Sequence, residues 1–240
     1  MSEQISVQGA KVVAVGMVIA SLVFSVFFYA SRVANPGILS VTGSAKTSVT
    51  SDLVKWTIQL SRTANASEFN QAYTALSRDI SIVQSEIVDH SIPSSAITIS
   101  SVFTEQDYGY DSNAPRRYTV RQTLTIESAD IENVTALSKN IQTQISVGSV
   151  MSTFAPEYYY TKLADLRVNL LSDAVKDAKA RAEKIAESSG SRVGALTSAN
   201  QGVVQVLSPN SIEVSDYGSY DTSSIEKEVM ATVRASFGVK

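Results

Sequence analysis

Seven of the ten tyrosines fall in three short segments: Tyr108 and Tyr110, then Tyr158, Tyr159 and Tyr160, then Tyr217 and Tyr220. Tyrosine offers a large amphipathic contact area at small entropic cost, so such clusters suit a subunit or ligand contact. Asp107, Asp111, Asp216 and Asp221 flank these tyrosines and are of the type that binds a hard cation. No calcium-loop spacing accompanies them, and they read as solvated turn residues. His90 is the only histidine. A serine hydrolase needs its base oriented by a carboxylate and hydrogen-bonded to a nucleophile, and no Gly-x-Ser-x-Gly elbow accompanies this one. It reads as a surface histidine at a helix end. Phosphate-cradling glycine motifs are absent. With Cys at 0 there is no thiolate metal ligand, cysteine nucleophile or disulfide, and a single histidine excludes a multi-histidine centre. We therefore expect no catalytic residues, no metal and no cofactor.

Arg116, Arg117 and Arg121 form a small basic cluster, for which cross-strand pairing with acidic neighbours such as Glu226 or Glu228 is the expectation. The chain carries 20 Lys+Arg against 23 Asp+Glu, a net charge of −3, which gives nucleic acid no attractive field. Hydrophobic residues at 44% and charged residues at 18% exclude a disordered chain.

The elements that must hold these residues can be read from periodicity. Ile38–Gly43 reads as a first strand. Leu53–Arg62 alternates, with Val54, Trp56, Ile58 and Leu60 on one face. Glu68 to Val88 repeats at helical spacing, with Ser67 placed to cap it, and Pro93 breaks the chain. Ala96–Thr104 and Arg117–Glu127 read as strands, Ile131–Ile145 as a helix capped by Asp130, and Gly148–Phe154 as a short strand. The longest helix is expected over Thr161–Ser189, with Gly190 as its stop. Its stripe of Ala174, Ala178, Ala182 and Ala186 would let it lie close on a sheet. Val193–Leu207 and Ile225–Phe237 complete the strands, and the last places Val229, Ala231, Val233, Ala235 and Phe237 inward. The order helix, strand, tyrosine-glycine loop, strand occurs twice, and we read it as an internal pseudo-repeat. The expected class is α+β, with helices packed on mainly antiparallel sheet and one N-terminal transmembrane helix.

That helix is the 19-residue uncharged run Val12–Ala30, bracketed by Lys11 and Arg32. At about 1.5 Å per residue it spans roughly 28 Å, close to the ~30 Å hydrocarbon core. A cleaved signal sequence is the rival. However, Phe28, Tyr29 and Arg32 stand where small residues should precede a cleavage site, and the run exceeds a signal core. The expected layout is a cytoplasmic tail at 1–11, an anchor at 12–34 and one extracytoplasmic domain at 35–240. Asn35-Pro36-Gly37 ends the anchor. Setting aside Glu3, Lys11 and Arg32 leaves the body with 18 Lys+Arg against 22 Asp+Glu, a mildly acidic domain.

Ser172 to Ala186 with Gly190 and Gly194, and the opening Val41-Thr42-Gly43-Ser44-Ala45, resemble the SIMPL-domain family. Ser51-Asp52 stands where that family usually shows a Pro-Asp pair; Arg117–Val120 and the Val229–Phe237 alternation also fit. The resemblance covers nearly all of residues 38–240. It implies a bacterial envelope protein at the inner membrane with its bulk in the periplasm, a loose link to oxidative-stress protection, and ring- or channel-like homo-oligomers without an established catalytic set. The expectation is a non-enzymatic, self-assembling envelope protein contacting its copies through the tyrosine segments. The alternative is a monomeric tethered module that binds a periplasmic peptide, glycan or other ligand.

Overall fold

A computed structural model describes the chain except at residues 1, 34–36, 108–115 and 212–214. Its elements run α1 (Ser2–Val33), β1 (Ile38–Thr50), β2 (Leu53–Asn65), α2 (Phe69–Asp89), β3 (Ile97–Ile99), β4 (Phe103–Asp107), β5 (Arg117–Ser128), α3 (Ile131–Gln144), β6 (Val150–Thr153), β7 (Glu157–Tyr159), α4 (Leu163–Ser188), β8 (Val193–Gln201), β9 (Gln205–Leu207) and β10 (Glu226–Val239). The fold is α+β with antiparallel sheets. Two compact units form. One holds Met1–Ser44, Asp173–Gly202 and Thr232–Lys240, and the other Ala45–Ser172 and Val203–Ala231.

The second unit is organised by β2. Its period of two puts Val54, Trp56, Ile58 and Leu60 on one face, all fully buried. β5 pairs along its whole length, from Val54↔Ser128 to Asn65↔Arg117, and lays Val120, Leu124 and Ile126 into the same core. The sheet order is β3–β5–β2–β6, with β4 also on β5 and β7 also on β2. Leu76, Ile80, Val83 and Ile87 of α2 and Val134, Leu137 and Ile141 of α3 fill the core. Each large aliphatic side chain removed from water there contributes roughly 1.5–3 kcal/mol. A smaller cluster gathers Leu170, Val206, Val229 and Ala231.

Helix ends follow local chemistry in most places. Asp130 caps α3 by accepting from the Asn133 N–H at 3.2 Å. At the end of α4, Gly190 adopts φ +72°, its N–H reaches Glu187 O and the Ser191 N–H reaches Ala186 O. That is the Schellman closure a left-handed glycine permits. Ser67 does not cap α2; residues Ala66–Glu68 form a 3₁₀ turn instead, and the helix starts at Phe69 without a side-chain cap.

Two expected strands are interrupted. The run Ala96–Thr104 divides into β3 and β4 where the Ser100 N–H turns to Thr123 O and its hydroxyl takes the Thr123 N–H. Val193–Leu207 divides into β8 and β9 at Gly202, whose N–H bonds Thr232 O at 2.9 Å. β7 was not anticipated. Pro156 has no N–H to give, so the strand stops after Thr153 and resumes at Glu157. The helix–strand–loop–strand order does occur twice: α2, β3/β4, β5 and α4, β8/β9, β10, each long strand pairing antiparallel with the two short ones before it.

In the first unit, Ala174, Ala178, Ala182 and Ala186 are buried on α4, as are Val233, Ala235 and Phe237 on β10. A Cβ at Gly43 would collide with Ala174 O and Ala178 N, so the strand and helix backbones approach as the alanine stripe suggests. This unit also contains α1, where Gly9–Tyr29 is a 21-residue helix long and apolar enough to cross a membrane or to act as a signal sequence. Every residue of it is exposed.

Candidate interaction site

The tyrosine segments are positioned by β7 and by the chain leading into β10. β7 pairs with β2 as Val54↔Tyr158 and Leu53↔Tyr159, so alternation sends the two tyrosines to opposite faces. Tyr158 points into the core, 7% exposed, with its hydroxyl 2.9 Å from Thr135 Oγ1. It is therefore a packing residue rather than the surface contact expected. Tyr159 stacks obliquely on Tyr220, ring centroids 5.9 Å apart and planes 32° apart. Burial together with the hydrogen bond to Glu157 Oε2 pushes the Tyr159 hydroxyl pKa up, so it stays a neutral donor. The Tyr220 hydroxyl accepts the Tyr160 N–H at 2.9 Å. Tyr217 stands 97% exposed on the adjoining turn. Tyr159, Tyr160 and Tyr220 are thus brought together, and Tyr108 and Tyr110 lie outside the described residues.

Two acidic turns brace this corner. Asp52 accepts the Thr161 N–H at 2.7 Å and its hydroxyl at 2.8 Å, fixing the chain just before α4. The Asp52 N–H in turn bonds Tyr159 O, while Ser51 bonds Ile225 O through both N–H and hydroxyl. Asp221 accepts from the N–H and hydroxyl groups of Ser223 and Ser224. Burial alone would raise its pKa, but these four donors outweigh it and hold the carboxyl far below the usual range. Asp221 is consumed by its own turn. Asp216 sits in a neighbouring turn, Asp111 is outside the described residues, and among the described residues no three His, Asp or Glu groups converge on a metal position.

The sequence reading missed Lys227. It occupies an inward position of β10, between Ile225 and Val229, and its side chain is 0% exposed. Nζ donates to Asp221 O at 2.6 Å and Ser224 O at 2.7 Å, lies 3.6 Å from Asp221 Oδ2, and stands 5.8 Å from the Tyr220 ring centre. Burial lowers its pKa, and Asp221 offsets only part of that. A lysine in the inward register of an alternating strand was the available signal.

A second polar cluster was legible in the same way. Arg62 continues the inward series of β2, and Asp79 lies on the apolar stripe of α2. Arg62 Nε and Nη2 both donate to Asp79 Oδ2, at 3.1 and 2.6 Å, and Nε also reaches Ser149 Oγ at 2.9 Å. Burial tends to raise the Asp79 pKa, but Ser149 and Arg62 prevail and lower it. A Cβ at Gly148 would strike the Arg62 guanidinium. The guanidinium borders an open groove of about 450 Å³ lined also by Ser61, Thr63, Glu68, Gln71 and Gly148.

Other expectations resolve simply. His90 closes α2, with Nδ1 2.9 Å from Glu86 O. The basic cluster does not meet Glu226 or Glu228. Arg121 pairs instead with Glu105 at 2.8 Å and lies over the Phe103 ring, because β4 is its neighbour on β5. Glu226 accepts from Thr50 and Glu228 pairs with Lys46.

The architecture is an α+β body of antiparallel sheets with one N-terminal helix that has the length and apolarity of a membrane anchor or a signal sequence. Residues 39–237 match the SIMPL family, described as a protein of unknown function (DUF541), and the chain belongs to that family. No curated protein matches it.

Proposed function

We propose that the chain is a non-enzymatic envelope protein, held in the inner membrane by Val12–Ala30 with residues 35–240 in the periplasm. It assembles there into a ring- or channel-like homo-oligomer that serves stress protection. The observation that carries this reading is the helix Gly9–Tyr29, uncharged after Lys11 and exposed at every residue. A side-chain surface of that kind suits a bilayer better than water. Tethering confines the bodies to two dimensions, so modest contacts suffice for assembly, and Tyr217, Tyr159 and Tyr220 offer such a contact.

The test is to extract the full chain in mild detergent, sequence its N-terminus and measure its mass by light scattering. An intact Val12–Ala30 segment in a defined multimer supports the proposal. A mature chain beginning near Asn35, or a monomer at micromolar concentration, overturns it. The groove beside Arg62 favours a second reading, a monomeric binding module for a polar peptide or glycan, and a monomer would shift attention there.

A further inference from the structure

β8 is exposed in a way that no other strand of comparable length matches. Among the described residues it pairs with β10 alone, along Val233↔Gln201, Arg234↔Asn200, Ala235↔Ala199 and Ser236↔Ser198, and forms the outer strand of its sheet. From Ala195 to Gln201 every residue is exposed, on both faces. Leu196 is among them, 47% exposed. A strand open on two faces and one edge presents unpaired backbone N–H and C=O groups as a template for another strand.

Charged residues and prolines, which commonly blunt such an edge, are missing from β8. The sequence from Val193 to Ser211 contains no charged residue. The other outer strands differ. β4 carries Glu105, β7 carries Glu157, and β1 carries Lys46. On β1 the Ser44 N–H is already taken by Asp177 at 2.8 Å. The uncharged strands β3, β6 and β9 have only three or four residues each. On β8 the register slips near Thr197, whose hydroxyl bonds Ser236 O, which leaves Ser198–Gln201 as the regular stretch.

We propose that β8 pairs antiparallel with β8 of a second copy of this chain across a two-fold axis, joining two sheets into one. The occupant is a copy because the edge is self-complementary. Ser198, Asn200 and Gln201 each carry both donor and acceptor groups, and a two-fold contact sets this polar stretch against its own copy without opposing like charges. The rest of the acidic body repels its copies, so the neutral edge is where two of them approach most easily. This inference rests on the self-assembly reading and names one of its contacts.

The test uses the full chain in native membranes, where the natural absence of cysteine gives a clean background. Single cysteines are placed at Ser198, Ala199, Asn200 and Gln201, with Lys176→Cys on α4 as control, and oxidised with copper–phenanthroline and air. Residues facing each other across an antiparallel pair have Cα atoms about 4.5–5.5 Å apart, within disulfide reach. We expect a single maximum of covalent dimer within the stretch, at least about tenfold above Lys176→Cys, because only residues at the two-fold axis face themselves. Ala199→Lys should remove that dimer from a neighbouring Ser198→Cys or Asn200→Cys while leaving the circular dichroism and melting temperature unchanged. A multimer by mass with no cross-link along β8 overturns strand pairing and leaves self-assembly standing. A monomer by mass overturns both.

Discussion

β2 and β8 are both regular strands, yet they are held by different physics. β2 is hydrogen-bonded on both sides, by β5 along one edge and by β6 and β7 along the other, and four of its side chains are fully buried. β8 is bonded on one side only and buries none of its side chains fully. Ladder hydrogen bonds replace bonds to water and return about 1 kcal/mol each, whereas core burial returns more per residue. The pattern of apolar residues therefore marks β2 as the organiser of its unit. In β8 the pattern fails because none of the described residues covers it.

The largest expected effect breaks the β2 side of that contrast. Trp56→Ala should destabilise the protein by about 3–5 kcal/mol, measured by urea denaturation, since a fully buried indole leaves a cavity. Trp56 Nε1 has no hydrogen-bond partner among the described residues, so Trp56→Phe, which deletes that donor, should cost clearly less. If the two variants lose stability equally, volume alone does not explain the site.

Lys227→Met should follow, costing about 1–3 kcal/mol for each carbonyl, Asp221 O and Ser224 O, left without its donor. It should also loosen the Asp221–Ser224 turn, read as faster amide exchange there. A variant as stable as the parent would show that apolar packing can replace the ammonium at no cost.

Acid sharpens the comparison next. Asp79 and Asp221 are both held below their ordinary carboxylate values in the folded state. Their contribution is complete above the unfolded value of about 3.9 and is lost as pH falls from there through the lower folded value, because the unfolded chain takes up protons first. The melting temperature should drop steeply below about pH 4, and Asp79→Asn should flatten that slope. An unchanged slope in the variant would remove Asp79 from the account.

The smallest effect belongs to β8. Ser198→Lys should change the stability of the detergent-dispersed monomer by no more than about 0.5 kcal/mol, as for other open surface positions. A loss of several times that size would mean that the strand is covered within its own chain.

Much of this could be read without coordinates. The alternation Val54, Trp56, Ile58, Leu60 fixed the buried face of β2, the alanine stripe anticipated the close approach of α4 at Gly43, and Asp130 and Gly190 marked helix ends by local rules. Ser51-Asp52, noted only as a departure from the family pattern, proves to tie three segments together through short-range bonds to residues far along the chain. Such partners leave no local signal. Lys227 and Arg62 did leave one, a charge in an inward register, but the chemistry that satisfies each charge comes from elsewhere in the fold.

The sequence by itself determined the helices and the long strands, the apolar leading helix and the faces that turn inward, because each follows from periodicity and end chemistry within about one helical turn or a few strand residues. Only the tertiary structure decided that Tyr158 is core while Tyr159 meets Tyr220, that Arg121 answers Glu105, and that β8 is left uncovered. Those outcomes depend on which strand becomes whose neighbour, a choice made by long-range burial rather than by any residue's own preference.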